Sequence, residues 1–433
     1  MTFKKIIGKI HLWLGLASGL VVFIVSITGC IYVFEKELKG IFRKDRLITE
    51  VEEDAVRLST SILVNNAEAL FNHKYKAYSL VVPTSKNETL QVHFFKRRSI
   101  EETGLWTWYG QEQQYYYIVY MNPYNGQLVY MENTKWELFT VVEAVHTSLL
   151  LGPIGNRIIA VSVLIFFVLL ISGIILWWPH NKKALRMRTW FQWKPKTKWK
   201  RKNYDLHNIP GFYVLFLAVI ISITGLSWSF DWMNQSVQWA ANAGKERESG
   251  YKPVQSDAQK LKSPNPVDKI MAELYLEYPK ALSFHFFYPR DTSGVYSAFV
   301  DYGSSIEWSV LSFDQYSMEK LDEYSLSNLN NGEVVEWLNY DIHTGTILGL
   351  PGKILAFFAS LISASLPITG FLIWWGRRRK GKRKHRRREY PKLTLVPDFQ
   401  DQTNENKGVV FLKKDKDFYN STKNQRHGGD KKQ

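Results

Sequence analysis

Long apolar runs alternate with polar stretches along the chain, and four of the runs are long enough to cross a membrane. The hydrocarbon core of a bilayer is about 30 Å thick, which takes roughly 20 helical residues. A single run of this kind can be a helix buried in a soluble core, but four in one chain favour a membrane protein. The predicted spans cover about 11–34, 154–178, 208–230 and 352–375.

The first span returns later in the chain in a closely related form. Residues 10–29 read IHLWLGLASGLVVFIVSITG, and residues 206–225 read LHNIPGFYVLFLAVIISITG. At a single offset of 196 positions, His11 matches His207 and the closing Ser-Ile-Thr-Gly is repeated. Small residues let membrane helices approach closely, so this tetrad predicts a packing contact.

The second and fourth spans form another matching pair. Residues 145–178 and 342–375 align at an offset of 197, with His146 opposite His343 and a Trp-Trp pair closing both stretches. Gly-Pro and Pro-Gly near the start of these spans predict a helix start or a break there. The chain is therefore predicted to be a tandem duplication in which each half contains a span, a large segment and a second span.

The two large segments have the pattern of small α+β modules. Each offers one helical stretch followed by short alternating or aromatic runs, which are typical of antiparallel strands. In the first segment the helix is expected near 60–73 and the strands near 77–83, 89–95 and within 114–131. In the second segment the helix is expected near 266–277 and the strands near 281–288, 295–301 and 307–313.

The formal net charge of +16 is unevenly distributed. The loop 180–202 and the stretch 376–388 each carry ten Lys or Arg and no acid, whereas acids outnumber bases in both large segments. Basic residues concentrate on the cytoplasmic side of a membrane protein. Both termini and the middle loop are therefore expected in the cytoplasm of an inner-membrane protein, with the large segments in the periplasm. Because the basic runs adjoin span ends, contact with the lipid bilayer explains them better than nucleic acid.

These patterns predict an ordered series of segments, followed by a polar tail from about residue 391 that has the composition of a disordered region. The segments are a first transmembrane helix at 1–34, an extracytoplasmic module at 35–145, a second helix at 146–179, a basic cytoplasmic loop at 180–206, a third helix at 207–230, a second module at 231–342, a fourth helix at 343–376 and a basic, then disordered, cytoplasmic tail at 377–433.

Cys30 is the single cysteine of the chain, which excludes an internal disulfide and a C-x-x-C-H attachment site for c-type haem. Its context, ITGC, resembles a lipoprotein cleavage site. This alternative is less favoured, because the second copy of the tetrad is followed by Leu226, deep in the chain where cleavage would divide the protein.

Four histidines occupy matching places beside the spans. His11 and His207 lead spans that run outward, and His146 and His343 precede spans that run inward, so each membrane face is predicted to receive two histidines from two helices. A b-type haem in a helix bundle needs one neutral imidazole on each side of its iron and small residues at its edge. An interfacial histidine bonded to a headgroup or a carbonyl is the alternative for any one of them. The symmetric placement favours two haem b groups, one held by His11 and His207 and the other by His146 and His343.

The other six histidines give weaker signals. His180 follows Trp-Trp-Pro at a span end, but Gly376 stands at its equivalent in the other half, so it is a minor alternative ligand. The predicted spans contain no acid, which argues against a metal transporter, and hydrolase motifs such as H-E-x-x-H are absent. The remaining histidines are expected on the surface, in strands or in the tail: His73, His93, His285, His385 and His427.

The chain resembles the PepSY-associated transmembrane proteins, often described as iron-regulated membrane proteins, over about residues 3–380. The resemblance is carried by KIHLWLG, the SITG and SG span ends, VHTSLLLG, IHTGTILG and the Trp-Trp exits. It implies that the large segments are PepSY modules. The family includes ferric-siderophore reductases with two b haems in a four-helix bundle, so the resemblance also implies haem ligation by the same four histidines. One departure is the Asn-Ile-Pro-Gly that follows His207 in place of Leu-Trp-Leu-Gly.

The expected function is the transfer of electrons from a cytoplasmic-side donor to a periplasmic ferric siderophore or other Fe(III) chelate. No flavin or ferredoxin domain is recognised, so the donor, a reductase or a quinol, is expected to be another molecule. Two alternatives remain open. One is a membrane-anchored PepSY interaction or regulatory protein of the protease-inhibitor type, in which the histidines are structural. The other is a quinol-linked b-type cytochrome.

Overall fold

The computed structural model describes residues 2–50, 55–260 and 266–388. Its helices are α1 (Phe3–Tyr32), α2 (Glu35–Phe42), α3 (Lys44–Leu47), α4 (Thr60–Ala69), α5 (Ile100–Thr103), α6 (Tyr109–Glu112), α7 (Leu138–Ser148), α8 (Gly152–Trp177), α9 (Lys182–Thr189), α10 (Trp199–Ser229), α11 (Asp231–Ala241), α12 (Pro266–Glu277), α13 (Asn331–Trp337), α14 (Asn339–Thr344) and α15 (Gly349–Arg388). The strands are β1 (Ser79–Pro83), β2 (Leu90–Arg97), β3 (Gln113–Met121), β4 (Leu128–Asn133), β5 (Ser283–Phe287), β6 (Val295–Ser304), β7 (Glu307–Asp314) and β8 (Lys320–Ser325). The predicted disordered tail, 391–433, lies outside the described residues.

Four helices in the described part of the chain are long and apolar enough to cross a membrane: α1, α8, α10 and the segment Thr346–Arg378 that contains most of α15. They coincide with the four predicted spans, which are confirmed as candidate membrane helices. Two of them begin earlier than the apolar runs, α1 at Phe3 and α10 at Trp199. Backbone hydrogen bonding continues a helix past its apolar part, so the charged first turns extend beyond the hydrophobic stretch.

The four long helices pack through small and flat residues. The position where a Cβ of Gly19 on α1 would stand lies 3.3 Å from Pro367 of α15. Trp177 at the end of α8 stacks on Phe212 of α10 with ring centroids 3.9 Å apart and an interplanar angle of 4°. Small residues permit such close approach between membrane helices, where packing replaces the hydrophobic driving force of water.

The chain turns sharply before the second and fourth spans. Gly152 opens α8 with φ +55°, and Gly349 opens α15 with φ +63°. Inside each turn a second glycine accommodates a carbonyl: a Cβ at Gly155 would lie 1.6 Å from the Ser148 oxygen, and one at Gly352 would lie 2.0 Å from the Gly345 oxygen. The sequence prediction of a helix start at these places is confirmed, and side chains at these two glycines are sterically excluded.

All eight strands form one antiparallel sheet in the order β4-β3-β2-β1-β5-β6-β7-β8. β1 pairs with β5 over five residues, from Ser79 opposite Phe287 to Pro83 opposite Ser283. The two predicted modules therefore share a single sheet. The helices α4 and α12 cover one face, and one core of buried residues extends across both halves, with Leu63, Leu80, Phe94, Ile270, Leu274, Phe284, Phe286 and Phe313 fully buried at its centre.

The sequence misses one edge of this sheet. The polar strand Lys320–Ser325, β8, has no apolar alternation because it is an edge strand in which no residue is fully buried. The expected helix near 60–73 ends at Ala69, while the helix expected near 266–277 is found over Pro266–Glu277. The region 114–131 resolves into β3 and β4.

An ion-pair network joins the sheet to the segment that follows α1. Nη2 of Arg43 donates to Oε1 of Glu132 on β4 at 2.9 Å, and Nη1 of Arg46 donates to the same oxygen at 3.2 Å. Nη2 of Arg43 also lies 3.5 Å from Glu137, which caps α7 by accepting from the amides of Phe139 and Thr140. These partly buried pairs fix the sheet against the end of the helix bundle.

Candidate functional site

Two histidines meet at the end of the bundle nearest the sheet. The imidazole rings of His146, on α7, and His343, on α14, have centroids 6.2 Å apart and an interplanar angle of 73°. We call them the sheet-side pair. A metal bound between two imidazoles gives about this separation, because each metal–nitrogen bond is about 2 Å and a ring nitrogen lies about 1.1 Å from its ring centre. The spacing thus fits one metal ion between the two rings.

The proton position on His146 follows from its hydrogen bonds. Nδ1 of His146 lies 2.9 Å from the backbone oxygen of Val25 and 3.0 Å from Oγ1 of Thr28. A carbonyl oxygen only accepts, so Nδ1 must carry the proton and donate. Nε2 is then the unprotonated nitrogen, with its lone pair available to a metal.

His343 is held in the same way by α10. Its Nδ1 lies 2.8 Å from Oγ1 of Thr224, and that hydroxyl donates to the carbonyls of Ile220 and Ile221 at 3.0 and 2.9 Å. Because the hydroxyl hydrogen is directed at these carbonyls, Oγ1 accepts from Nδ1. His343 therefore also presents an unprotonated Nε2.

His11 and His207 lie at the opposite end of the bundle, where the loop between α8 and α10 begins, and we call them the loop-side pair. Lys4, near the start of α1, donates to the Trp178 carbonyl just after α8, which places these two ends together. Nδ1 of His11 lies 2.8 Å from Oγ of Ser172 on α8. His11 is also an electrostatic neighbour of His207.

The hydroxyl groups that bond the loop-side pair also act as hydrogen-bond acceptors. Nδ1 of His207 lies 2.9 Å from Oγ1 of Thr369 on α15. The Ser172 hydroxyl donates to the Leu169 carbonyl at 3.1 Å, and the Thr369 hydroxyl donates to the Ser365 carbonyl at 2.9 Å. Both hydroxyl oxygens therefore accept from an imidazole, as at the sheet side.

A glycine follows every one of these hydroxyl residues and lies under the histidine ring. An added Cβ would lie 3.3 to 3.6 Å from a ring carbon, so a larger side chain would push the ring away. The four sets are Thr28-Gly29 with His146, Ser172-Gly173 with His11, Thr224-Gly225 with His343 and Thr369-Gly370 with His207.

The Ser/Thr-Gly repeats are visible in the sequence, where the Ser-Ile-Thr-Gly copies predict only a helix packing contact. Their role in orienting an imidazole was missed, although the signal was present. Each histidine has a Ser/Thr-Gly dipeptide at the far end of the other span in its own half. Antiparallel neighbouring spans bring such positions together.

A cavity of about 840 Å³ contains the sheet-side pair. This volume lies within the range of about 300–1,000 Å³ that is usual for ligand sites. All four long helices contribute to the wall, and many of the lining side chains are small, which leaves room for a broad, flat group. The small lining residues are Ser26, Gly29, Ala160, Ser162, Ala218, Ser222, Gly225, Ala356, Ser360 and Ser363.

Polar groups gather at the rim of this cavity. Arg157 is exposed there and is the single basic side chain among the described lining residues other than the histidines. Tyr32, Glu143 and Tyr340 also line it. Burial, and next the nearby Glu35 carboxylate, raise the pKa of the Glu143 carboxyl, which favours its neutral form.

The donor set fits haem better than a bare ion. In the described part of the chain no three His, Cys, Asp or Glu side chains gather as a metal site. Each pair therefore offers two nitrogens, whereas a structural zinc site takes four protein ligands. Haem iron takes its remaining ligands from the macrocycle and needs an imidazole on each face. The paired imidazoles, the free Nε2 atoms and the small-residue cavity all meet that requirement at the sheet side.

The other histidines stand apart from the two pairs. His180 is exposed after α8, and His73 is exposed near Glu68 at 3.6 Å. His93 and His285 lie on β2 and β5. The side chains of His385 and His427 are outside the part of the chain whose side chains are described.

Comparison with known families assigns this architecture. Residues 9–377 match the PepSY-associated TM region, so the chain belongs to that family of multi-pass membrane proteins. The resemblance inferred from the sequence is confirmed. Among curated proteins, none matches the chain.

Proposed function

We propose that this protein is a di-haem b electron-transfer protein that carries electrons across the inner membrane to a periplasmic ferric chelate, most simply a ferric siderophore. The observation that supports it most directly is the arrangement of four imidazoles, each with Nδ1 donating to a hydroxyl and Nε2 left free. Hydrogen bonds of this kind orient metal-bound histidines and fix their tautomer.

Each residue has a definite task in this proposal. His146 and His343 hold the sheet-side haem, and His11 and His207 hold the loop-side haem. The hydroxyls of Ser172, Thr28, Thr224 and Thr369 fix the Nδ1–H tautomer of each ring and aim its Nε2 at the iron position. A haem at each pair supplies one-electron carriage when bound. Arg157, exposed at the cavity rim, supplies a cation for the carboxylates that a haem carries.

The orientation in the membrane is part of the proposal. The basic loop after α8 and the basic end of α15 favour a cytoplasmic location for the loop-side pair. The sheet and the sheet-side pair then face the periplasm. The sheet order, in which β4 to β1 mirror β8 to β5, supports a tandem duplication as the origin of the two halves.

The two haem sites would lie near opposite faces of the membrane. About 20 helical residues with a rise of 1.5 Å each separate those faces, so neither pair can serve both sides alone. A donor on the cytoplasmic side and a chelate on the periplasmic side would therefore use the sites in series. Reduction of the iron favours its release from the chelate, because Fe(II) binds hard oxygen donors more weakly than Fe(III) does.

The test is the haem content of the full-length protein purified in detergent. Two haems b per chain, with a Soret band that shifts when dithionite is added, are expected. Reoxidation of the reduced protein by ferric siderophore, with Fe(II) trapped by a chelator, is expected as well. Absence of haem would overturn the proposal and favour an interaction protein, and reoxidation only by quinone would favour a quinol-linked cytochrome.

A further inference from the structure

Two buried asparagines hold the residues that orient the second-half histidines. Nδ2 of Asn339 donates to the backbone oxygen of Thr224 at 3.1 Å. Nδ2 of Asn203 donates to the backbone oxygen of Thr369 at 3.0 Å. Both side chains are buried, at 5% and 4% exposure, and each amide crosses from one helix to another. Each accepting residue is the threonine whose hydroxyl bonds a histidine.

The same five-residue pattern places both asparagines. The sequence is Asn-Tyr-Asp-Leu-His at 203–207 and Asn-Tyr-Asp-Ile-His at 339–343. Four residues of helix bring the asparagine and the histidine onto one face, so both can reach the same residue of the neighbouring helix. The histidine then bonds the threonine hydroxyl while the asparagine bonds the threonine carbonyl.

The first half lacks this arrangement. Four residues before His11 stands Ile7, and four residues before His146 stands Val142. Both side chains are apolar and offer no hydrogen bond to Ser172 or Thr28 on the facing helices. Each histidine pair therefore combines one histidine with an asparagine clamp and one without.

The side-chain oxygen of Asn203 indicates that this asparagine serves a function. Oδ1 of Asn203 is buried and has no hydrogen-bond partner among the described residues. A buried acceptor without a partner is destabilising. An isoleucine fills the matching position in the first half, so the fold does not require an amide there.

We propose that Asn203 and Asn339 are positioning residues that hold His207 and His343 in place as haem ligands. The inference rests on the proposed haem function. By holding the threonine backbone, each amide keeps the Oγ1 acceptor aligned with Nδ1 and so keeps Nε2 directed at the iron position. Outer contacts of this kind typically change metal-site affinity by about 10–100-fold.

The test replaces each asparagine by leucine, which has nearly the same shape and cannot donate. Asn339→Leu is expected to raise the rate of haem loss from the sheet-side site to apomyoglobin about tenfold and to shift its reduction potential, with the loop-side haem unchanged. Asn203→Leu is expected to raise the rate of haem loss from the loop-side site and to shift its reduction potential, with the sheet-side haem unchanged. The two haems are assigned by comparison with His343→Ala and His207→Ala, each of which lacks one of them.

A matched control separates positioning from general packing. Asn242 is a buried asparagine of the second half that bonds Asn330 and Gly332, and its hydrogen bonds within the described part of the chain reach neither a histidine of the pairs nor a Ser/Thr-Gly partner. Asn242→Leu is expected to lower thermal stability without altering either haem. In the converse variant, Val142→Asn supplies an amide four residues before His146 and is expected to slow haem loss at the sheet-side site.

The outcomes distinguish this inference from the function on which it rests. Wild-type protein without haem would overturn the proposed function. Wild-type protein with two haems, combined with Asn339→Leu and Asn203→Leu proteins whose haem-loss rates and potentials match wild type, would overturn the positioning role alone. Equal effects of either variant on both haems would overturn it too, because a clamp acts on one site.

Discussion

The two histidine pairs share the same hydroxyl and glycine contacts but are carried by different helices. His11 and His207 lie within continuous helices of 30 and 31 residues. His146 and His343 lie on short helices of 11 and 6 residues, each followed by a sharp turn before the next span. The ring orientation is therefore set by the Ser/Thr-Gly partner and not by the length of the helix that carries the histidine.

This difference in the supporting helices also determines which parts of the molecule are connected to each pair. The sheet-side pair is linked to the sheet by short connections, since α7 follows β4 after a single turn of 3₁₀ helix and α14 follows β8 through α13. The hydroxyl partners of the loop-side pair, Ser172 and Thr369, lie on the long helices α8 and α15. A change in the sheet can therefore affect the sheet-side pair directly. Four experiments test how far the two pairs are independent.

The largest expected effect comes from removing a ligand. His146→Ala or His343→Ala should each abolish the sheet-side haem and leave the loop-side haem intact, and His11→Ala or His207→Ala should do the opposite. The reason is that, in the proposed function, each haem iron would be held by both imidazoles of its pair. Haem content and reduced-minus-oxidised spectra measure this. Loss of the same haem in His11→Ala and His146→Ala would contradict the pairing.

The next effect concerns the hydroxyl partners. The Val25 carbonyl also accepts from His146 at 2.9 Å, whereas His11 has the Ser172 hydroxyl as its single hydrogen-bond partner among the described residues. Ser172→Ala should therefore weaken loop-side haem retention about 10–100-fold.

Matched variants check this dependence on a single hydroxyl. Thr28→Ala at the sheet side keeps the Val25 carbonyl as acceptor for His146 and should have a smaller effect. Ser172→Thr should retain the loop-side haem as the wild type does, because a threonine hydroxyl bonds the histidine at the other three sites. Competition with apomyoglobin gives the rates, and equal losses from the two alanine variants would show that the Val25 carbonyl contributes nothing.

Acid should affect the two ends of the molecule unequally. Burial, followed by the nearby His285 and Arg43, lowers the pKa of His93 in the sheet from 6.5 to about 4. The neutral form of His93 is thus favoured in the folded state. The free energy of unfolding is therefore at its full value above pH 6.5 and decreases as the pH falls toward 4. The lowered pKa corresponds to at most about 3 to 4 kcal/mol in the free energy of unfolding, at about 1.4 kcal/mol per pH unit.

The measurement follows haem release from each site between pH 7 and pH 4. Sheet-side haem should be released first, and His93→Leu should delay that release. His73→Leu, at an exposed histidine of the same sheet domain, is the control. Release of the loop-side haem first, with no change in His93→Leu, would show that the sheet does not transmit the protonation.

The smallest expected effect separates the four glycines. An alanine methyl at Gly29 or Gly370 would lie 3.3 Å from a histidine ring carbon, and one at Gly173 would lie 3.6 Å away. The first two are tight contacts and the third is ordinary. Gly29→Ala and Gly370→Ala should shift the potential of the adjacent haem, while Gly173→Ala should not. Redox titration of each variant resolves the difference, and a shift of equal size in Gly173→Ala would contradict the steric explanation.

The sequence predicts the spans well because they depend on local composition. Ligation by the four histidines, inferred from the internal repeat, stays a prediction. The sequence predicts most strands from local composition too, and misses Lys320–Ser325 because an exposed edge strand needs no apolar face. The pairing of β1 with β5 was not predictable, since partner choice between distant strands depends on tertiary packing. The asparagine clamps were missed because they become recognisable only when the facing helix is known.

The junction between β1 and β5 has a consequence for biosynthesis. These strands are about 200 residues apart in the chain, and two long helices, α8 and α10, lie between them. In the orientation proposed above, the first four strands would be exported before β5 is made, and β1 would then wait as an open edge. Long-range strand pairing is slow, and an open edge invites pairing with other chains. Completion of the sheet would then be the step at which the new protein is most vulnerable to aggregation.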